Sequence, residues 1–210
     1  MEGISDELTM QVFPLLAVPG NGLVPPAANH GVRFLVSRDG LMREVTTPWL
    51  KAIVPAAIGQ LSPTPYGAVD PEIELLCGPI PMDLIGQFLV MARAAMPDET
   101  TAAIVWRPDT QAWRLAPRLV TKASSERVQY GEAQLQDGEV MVVDIHSHGS
   151  TRPFFSAEDD IDDRGGLKIA AVVGQVDSDA PKLRARLVCL DRYIDLAIDS
   201  GGGVHYGELQ

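Results

Sequence analysis

The chain has 210 residues, 46% of them apolar and 21% charged, and a formal net charge of −11. These proportions are ordinary for a folded globular protein and exclude extensive disorder. The acidic balance excludes a nucleic-acid partner, because phosphate readers need a clustered basic surface and here Lys and Arg are scattered.

Residues 1–80 read as an N-terminal accessory region. It opens with Glu2, Asp6 and Glu7 where a secretory signal would carry basic residues and an apolar core, so no signal is expected. Most of the prolines lie here, among them Pro25, Pro26, Pro63, Pro65 and Pro71, and they favour edge strands and fixed loops over helices. Phe34-Leu35-Val36, a turn at Asp39-Gly40 and Leu41 to Val45 predict a β-hairpin. No catalytic constellation is visible in this stretch.

Residues 81–199 are more regular. Asp83 stands where a helix cap belongs, ahead of an apolar stripe through Leu84, Ile85, Phe88, Leu89, Ala92, Ala95 and Met96, and Pro97 stops the helix. Strands are predicted over Glu99 to Trp106, Trp113 to Val120, Arg127 to Tyr130 and Glu139 to His148. Ser156 begins a short helix that Gly165-Gly166 ends, and two strands follow, Leu167 to Val176 and Leu183 to Leu190. Lys182, Arg184 and Arg186 alternate as the solvated face of the last strand. Residues 200–210 are glycine-rich and read as a flexible tail. The fold class is therefore mixed α/β, of the α+β kind.

Two features bear on location. No apolar run approaches the roughly 20 residues that span a bilayer, so no membrane partner is expected. Cys77 and Cys189 sit in apolar stretches without paired spacing and read as buried reduced thiols, which suits the cytoplasm.

The chemistry concentrates in the segment from His146 to Asp159. His146 and His148, two apart on a strand, face the same side and can offer two imidazoles to one ion. After a loop of seven residues, Ser156 caps a helix whose first turn holds Asp159. Two imidazoles and one carboxylate leave a tetrahedral zinc one open position, the catalytic pattern. Each half of this pattern is common by itself. The full spacing arises by chance in roughly three of ten thousand chains with these counts of His, Ser and Asp. Asp144 shares the histidines' face and is a candidate to orient an imidazole.

His-x-His, seven residues, Ser, two residues and Asp resembles the JAMM motif of the JAB1/MPN/Mov34 metalloprotease family. The resemblance spans about Asp83 to Leu190. It implies a curved MPN/JAB-like sheet flanked by helices, with the Pro-rich, β-containing N-terminal region as an extension. It implies one Zn2+ per chain with a bound water, held by His146, His148 and Asp159. Glu99 matches the family's glutamate at the start of the strand after the first helix, and the resemblance makes it general base and then general acid. It makes Ser156 a donor to the oxyanion. The family usually has proline where this chain has Gly149 and often where it has Phe155, which leaves the substrate open. The reaction implied is hydrolysis of an amide bond, at the C-terminus of a ubiquitin-like protein or of its conjugate, the alternative being a non-catalytic scaffold or ubiquitin-like-binding module of the same fold. The N-terminal region together with this domain also resembles the JAMM component of the PRTRC cassette, a bacterial gene set with ThiF-like and ubiquitin-like members, which implies a ThiF/E1-like partner.

Other chemistries lack their parts. A barrel-type metal hydrolase needs several histidines after Asp144-Ile145-His146-Ser147-His148, and only His205 follows. Arg164 stands where a calcium loop over Asp160 to Gly165 needs an oxygen ligand. Gly20-Asn21-Gly22 lacks the third glycine of a dinucleotide loop, and no Gly-x-Ser-x-Gly elbow occurs.

Overall fold

The computed structural model describes residues 6–56, 63–118, 120–123, 128–131 and 133–207, and these divide into two compact units on either side of Cys77 and Gly78. The first unit holds α1 (Asp6–Val12) and a five-stranded sheet. Its strands are β1 (Leu15–Ala17), β2 (Gly31–Ser37), β3 (Gly40–Thr46), β4 (Leu50–Pro55) and β5 (Glu72–Leu75), in that order across the sheet. The turn of the β2–β3 hairpin is Arg38-Asp39, one residue before the Asp39-Gly40 expected, because Ser37 pairs with Gly40 and its hydroxyl donates to the Gly40 carbonyl. Val18, Leu35, Met42 and Ile53 form the apolar cluster of this sheet.

The second unit begins with α2 (Met82–Ala95). The sequence places Asp83 at the cap, but Pro81 holds that position without a side-chain bond, and Asp83 lies inside the first turn. There its negative charge still opposes the positive end of the helix. Leu84, Phe88 and Ala92, four apart, are the buried stripe, and α2 packs against β6 (Thr101–Arg107) and β7 (Ala112–Pro117). A small hairpin follows, β8 (Val120–Ala123) with β9 (Val128–Tyr130). Then come β10 (Val140–Ser147), α3 (Ala157–Asp163), β11 (Gly166–Gly174), β12 (Lys182–Leu190), β13 (Arg192–Ile198) and β14 (Val204–Tyr206).

Seven strands make one sheet in the order β14-β13-β12-β11-β10-β6-β7. Every pairing in it is antiparallel except β10 with β11. A parallel pair needs a crossover connection, and α3 with its flanking loops is that crossover. The topology thus obliges the chain to leave the sheet after His148 and return over it through α3. Val143 and Ile145 of β10 are fully buried, whereas Asp144 and His146 point to the opposite face.

The expected flexible tail is corrected in part: Val204–Tyr206 pairs with β13 as an edge strand. Asp199 organises the turn between them, accepting from the backbone N–H groups of Gly201 and Gly203 and facing His205 at 2.7 Å. Gly202 has a φ of +84°, and a Cβ there would lie 1.9 Å from the Ile80 carbonyl oxygen. Cys77 and Cys189 are both buried thiols, not joined in a disulfide. Among the described residues no helix is long and apolar enough to cross a membrane.

Candidate metal centre

β10 is hydrogen-bonded on both sides, with His146 opposite Thr101 of β6 and Val172 of β11. Ser147, buried, locks the strand end to the segment entering β6: Ser147 N donates to the Thr100 carbonyl and Thr100 N to the Ser147 hydroxyl. His148 lies one residue beyond the strand, its N–H donating to the Val173 carbonyl. The loop after it is tied to the end of β11, with Gln175 N donating to Thr151 O and Val176 N to Gly149 O. Gly174 permits that crossing, since a Cβ would stand 2.3 Å from Thr151 O. Gly149 has a φ of +49°. Proline is held near −65°, so the usual proline of the resembling motif does not fit this loop as it stands.

The loop delivers Ser156 as the N-cap of α3. The Ser156 hydroxyl accepts from Asp159 N at 3.1 Å, and the Asp159 carboxylate accepts from Ser156 N at 2.6 Å, a reciprocal capping box. The hydroxyl's own proton also goes to Asp159 Oδ2, at 2.8 Å. Two donors therefore fix Oδ2, and Oδ1 is left facing His146 Nε2 at 3.5 Å.

His146 Nε2 and His148 Nε2 stand 3.1 Å apart, and the donor atoms of His146, His148 and Asp159 all lie within 4.8 Å of one another. Two donors held 2.0–2.1 Å from a tetrahedral zinc are separated by about 3.3–3.4 Å. The edges of 3.1 and 3.5 Å bracket that value and the third is no longer than 4.8 Å, so the three residues could hold one metal ion between them. Burial also favours neutral imidazoles: it lowers His146, and with the neighbouring His146 it lowers His148 to about 4, against the opposing pull of Asp159. Only an unprotonated nitrogen can donate to a metal.

Glu99 sits between α2 and β6, two residues before Thr101, the partner of His146. The β6 strand begins two residues later than expected, which leaves Glu99 half-buried at the end of the sheet that carries the histidines. Desolvation, reinforced by the charge of Asp159, holds its carboxyl up at about 7. Phe154 meets the His148 ring edge-on at 4.5 Å between centroids and is 44% exposed, an apolar rim to the site.

Two expectations about charged residues are corrected. Asp144 does not serve an imidazole: Arg118 takes its Oδ1 at 3.0 Å and Lys168 its Oδ2 at 2.7 Å. Arg186 is not solvated, being 5% exposed and paired with Asp160 and Asp163 of α3. A run of alternating cations on a strand looks the same in sequence whether its face meets water or a helix. The small cleft beside His146, lined by Asp144, Phe155, Asp159, Asp163 and Ala170, lies against these ion pairs.

Residues 81–188 match the family described as prokaryotic homologs of the JAB domain. Residues 4–76 match a domain of unknown function, DUF2016. No curated protein matches the chain. Among solved structures it is similar to the solution structure of protein DSY2949 from Desulfitobacterium hafniense, at 20% identity over 60% of this chain and 86% of that one. The TM-score is 0.34, a likeness too distant to carry an argument.

Proposed function

The chain belongs to the prokaryotic homologs of the JAB domain, and from that premise we propose that it is a JAMM-type zinc metallopeptidase. The observation that carries this reading is the convergence of His146, His148 and Asp159 from a strand, its loop and the crossover helix, with edges that suit one tetrahedral ion.

Zinc bound there would lower the pKa of a coordinated water toward about 7 and polarise a scissile carbonyl. Glu99, at the strand end beside the histidines, accepts the proton of the attacking water on its carboxylate and passes it to the leaving amine nitrogen. Ser156 has a hydroxyl to spare for the oxyanion, because its backbone N–H still holds Asp159 Oδ2 when the hydroxyl turns away. Phe154, packed edge-on against His148, gives the site an apolar rim for a substrate side chain.

The substrate we propose is a peptide or isopeptide bond at the C-terminus of a ubiquitin-like protein, in a cassette of the PRTRC type with a ThiF/E1-like partner. What supports this finer reading is the family match, together with the resemblance of the N-terminal region and this domain to the JAMM component of such a cassette. The test is incubation of the zinc-loaded protein with a ubiquitin-like protein encoded beside it, read by intact mass. The expected result is loss of a C-terminal segment or of a conjugate, abolished in Glu99→Gln. Binding without any change of mass, the same in wild type and variant, would replace the peptidase by a non-catalytic binding module.

A further inference from the structure

The helix that presents Asp159 has almost nothing apolar to hold it. The seven residues of α3 read AEDDIDD, Ile161 is 64% exposed, and the only buried residue is Asp163. So short a helix does not persist alone, and without an apolar stripe it cannot dock by burial. Its attachment is charge. The Arg186 guanidinium donates from Nη1 to Asp160 Oδ1 at 2.6 Å and from Nη2 to Asp163 Oδ2 at 2.6 Å. It lies between two rings, 3.9 Å from the centroid of Phe155 and 4.2 Å from that of Tyr193. Tyr193 in turn donates its hydroxyl proton to the Asp160 carbonyl at 2.7 Å.

The same chain of charges ends on the strand that carries His146. Lys168 bridges Asp163 Oδ1 and Asp144 Oδ2, both at 2.7 Å. Across the sheet Asp144, Ala170 and Arg186 stand in one row. The three cations Arg118, Lys168 and Arg186 balance Asp144, Asp160 and Asp163. The geometry is therefore that of a clamp running from α3 through β12 and β11 to β10.

We propose that Arg186 is a positioning residue of the metal centre: by gripping Asp160 and Asp163 on either side of one helical turn, it sets where Asp159 meets His146 and His148. This rests on the reading of those three residues as the metal ligands. Arg186 makes no bond to any of the three, and acts on Asp159 through Asp160 and Asp163 of α3.

The test uses the full-length protein and Co2+, whose intense visible bands report a four-coordinate site. Arg186→Met should weaken Co2+ binding about ten- to hundredfold and reduce those bands as the Asp159 ligand is lost. Asp160→Asn cuts one arm of the clamp at a half-exposed residue and should give a smaller change of the same kind. Leu187→Ala, on the opposite face of β12, should lower the melting temperature and leave the spectrum unchanged. Arg186→Met with Asp163→Asn should recover melting temperature relative to Arg186→Met without recovering affinity. A folded Arg186→Met that binds Co2+ with wild-type affinity and spectrum overturns the proposal. If Arg186→Met does not fold, wild-type affinity in Asp160→Asn overturns it equally. Failure of the wild type to take up Co2+ would instead remove the ligand assignment on which the clamp depends.

Discussion

His146 and Asp159 face each other across 3.5 Å, yet opposite physics holds them. His146 stands on β10, paired by backbone bonds to β6 and β11, with fully buried Val143 and Ile145 behind it. Asp159 stands on a helix that buries no apolar side chain and is attached by a capping box and ion pairs. The strand side is anchored by burial and the sheet ladder, which a single polar change hardly touches. The helix side depends on a few charged bonds, each of which can be cut by one substitution. The two histidines therefore form a rigid floor, and the carboxylate is the adjustable member of the set.

The largest expected effect is on the rigid side. His148→Ala removes one imidazole but keeps the N–H that bonds Val173 O. Zinc content by elemental analysis should fall from about one per chain to a small fraction, with hydrolysis lost. The melting temperature in chelator should stay near that of the wild type, because no core contact is removed. Retention of full zinc by this variant would break the comparison at its base.

Glu99→Gln comes next. It keeps shape and leaves all three metal donors in place, so zinc should remain while hydrolysis falls by a factor on the order of a hundred or more. Unchanged turnover would reassign the base, with Glu158 the first candidate to test.

Ser156 sharpens the helix side. Ser156→Ala should cost about 1 kcal/mol of stability through the lost cap. The same change should slow turnover by roughly a hundredfold if its hydroxyl serves the oxyanion. Asparagine caps nearly as well, so Ser156→Asn should regain stability while turnover stays low. Melting temperature and rate recovering together would reduce Ser156 to a cap that holds Asp159.

The smallest effect concerns the foot of β10. Arg114 bonds both carboxylate oxygens of Glu139, at 2.7 and 2.5 Å, and this bond above all holds the carboxyl at about 2 instead of its ordinary 4.5. A lowered pKa means that the folded state favours the ionised form. Its contribution is complete above pH 4.5 and is lost as the pH falls toward 2. Glu139→Gln should therefore flatten the acid limb of the stability curve across that window and leave zinc binding at neutral pH unchanged. A melting-temperature series against pH measures both variants, and an unaltered acid limb would remove Glu139 from the account.

Much of the second unit was legible because its elements carry local signatures. Ser156 and Asp159, three apart before a helix, encode the capping box that the structure contains. The β-branched run before His146 encodes a strand, and α2 shows its buried stripe at Leu84, Phe88 and Ala92. β13 passed unnoticed although Ile194 and Leu196 alternate with Tyr193 and Asp195. The period-two signal is present but short, and the charged Asp191, Arg192 and Asp195 in and beside it weaken it.

The sequence by itself determined that two imidazoles and a carboxylate lie at a spacing able to meet, since strand and helix periodicities act over a few residues. Only the tertiary structure decided that β10 and β11 run parallel and so place α3 over the histidines. It alone decided that Arg186 closes on α3 and that Asp144 answers to Lys168 and Arg118 instead of an imidazole. The partners in those pairs stand 23 to 26 residues apart in the chain. No local pattern spans such a separation, and a charge carries no mark of the partner that the fold will bring to it.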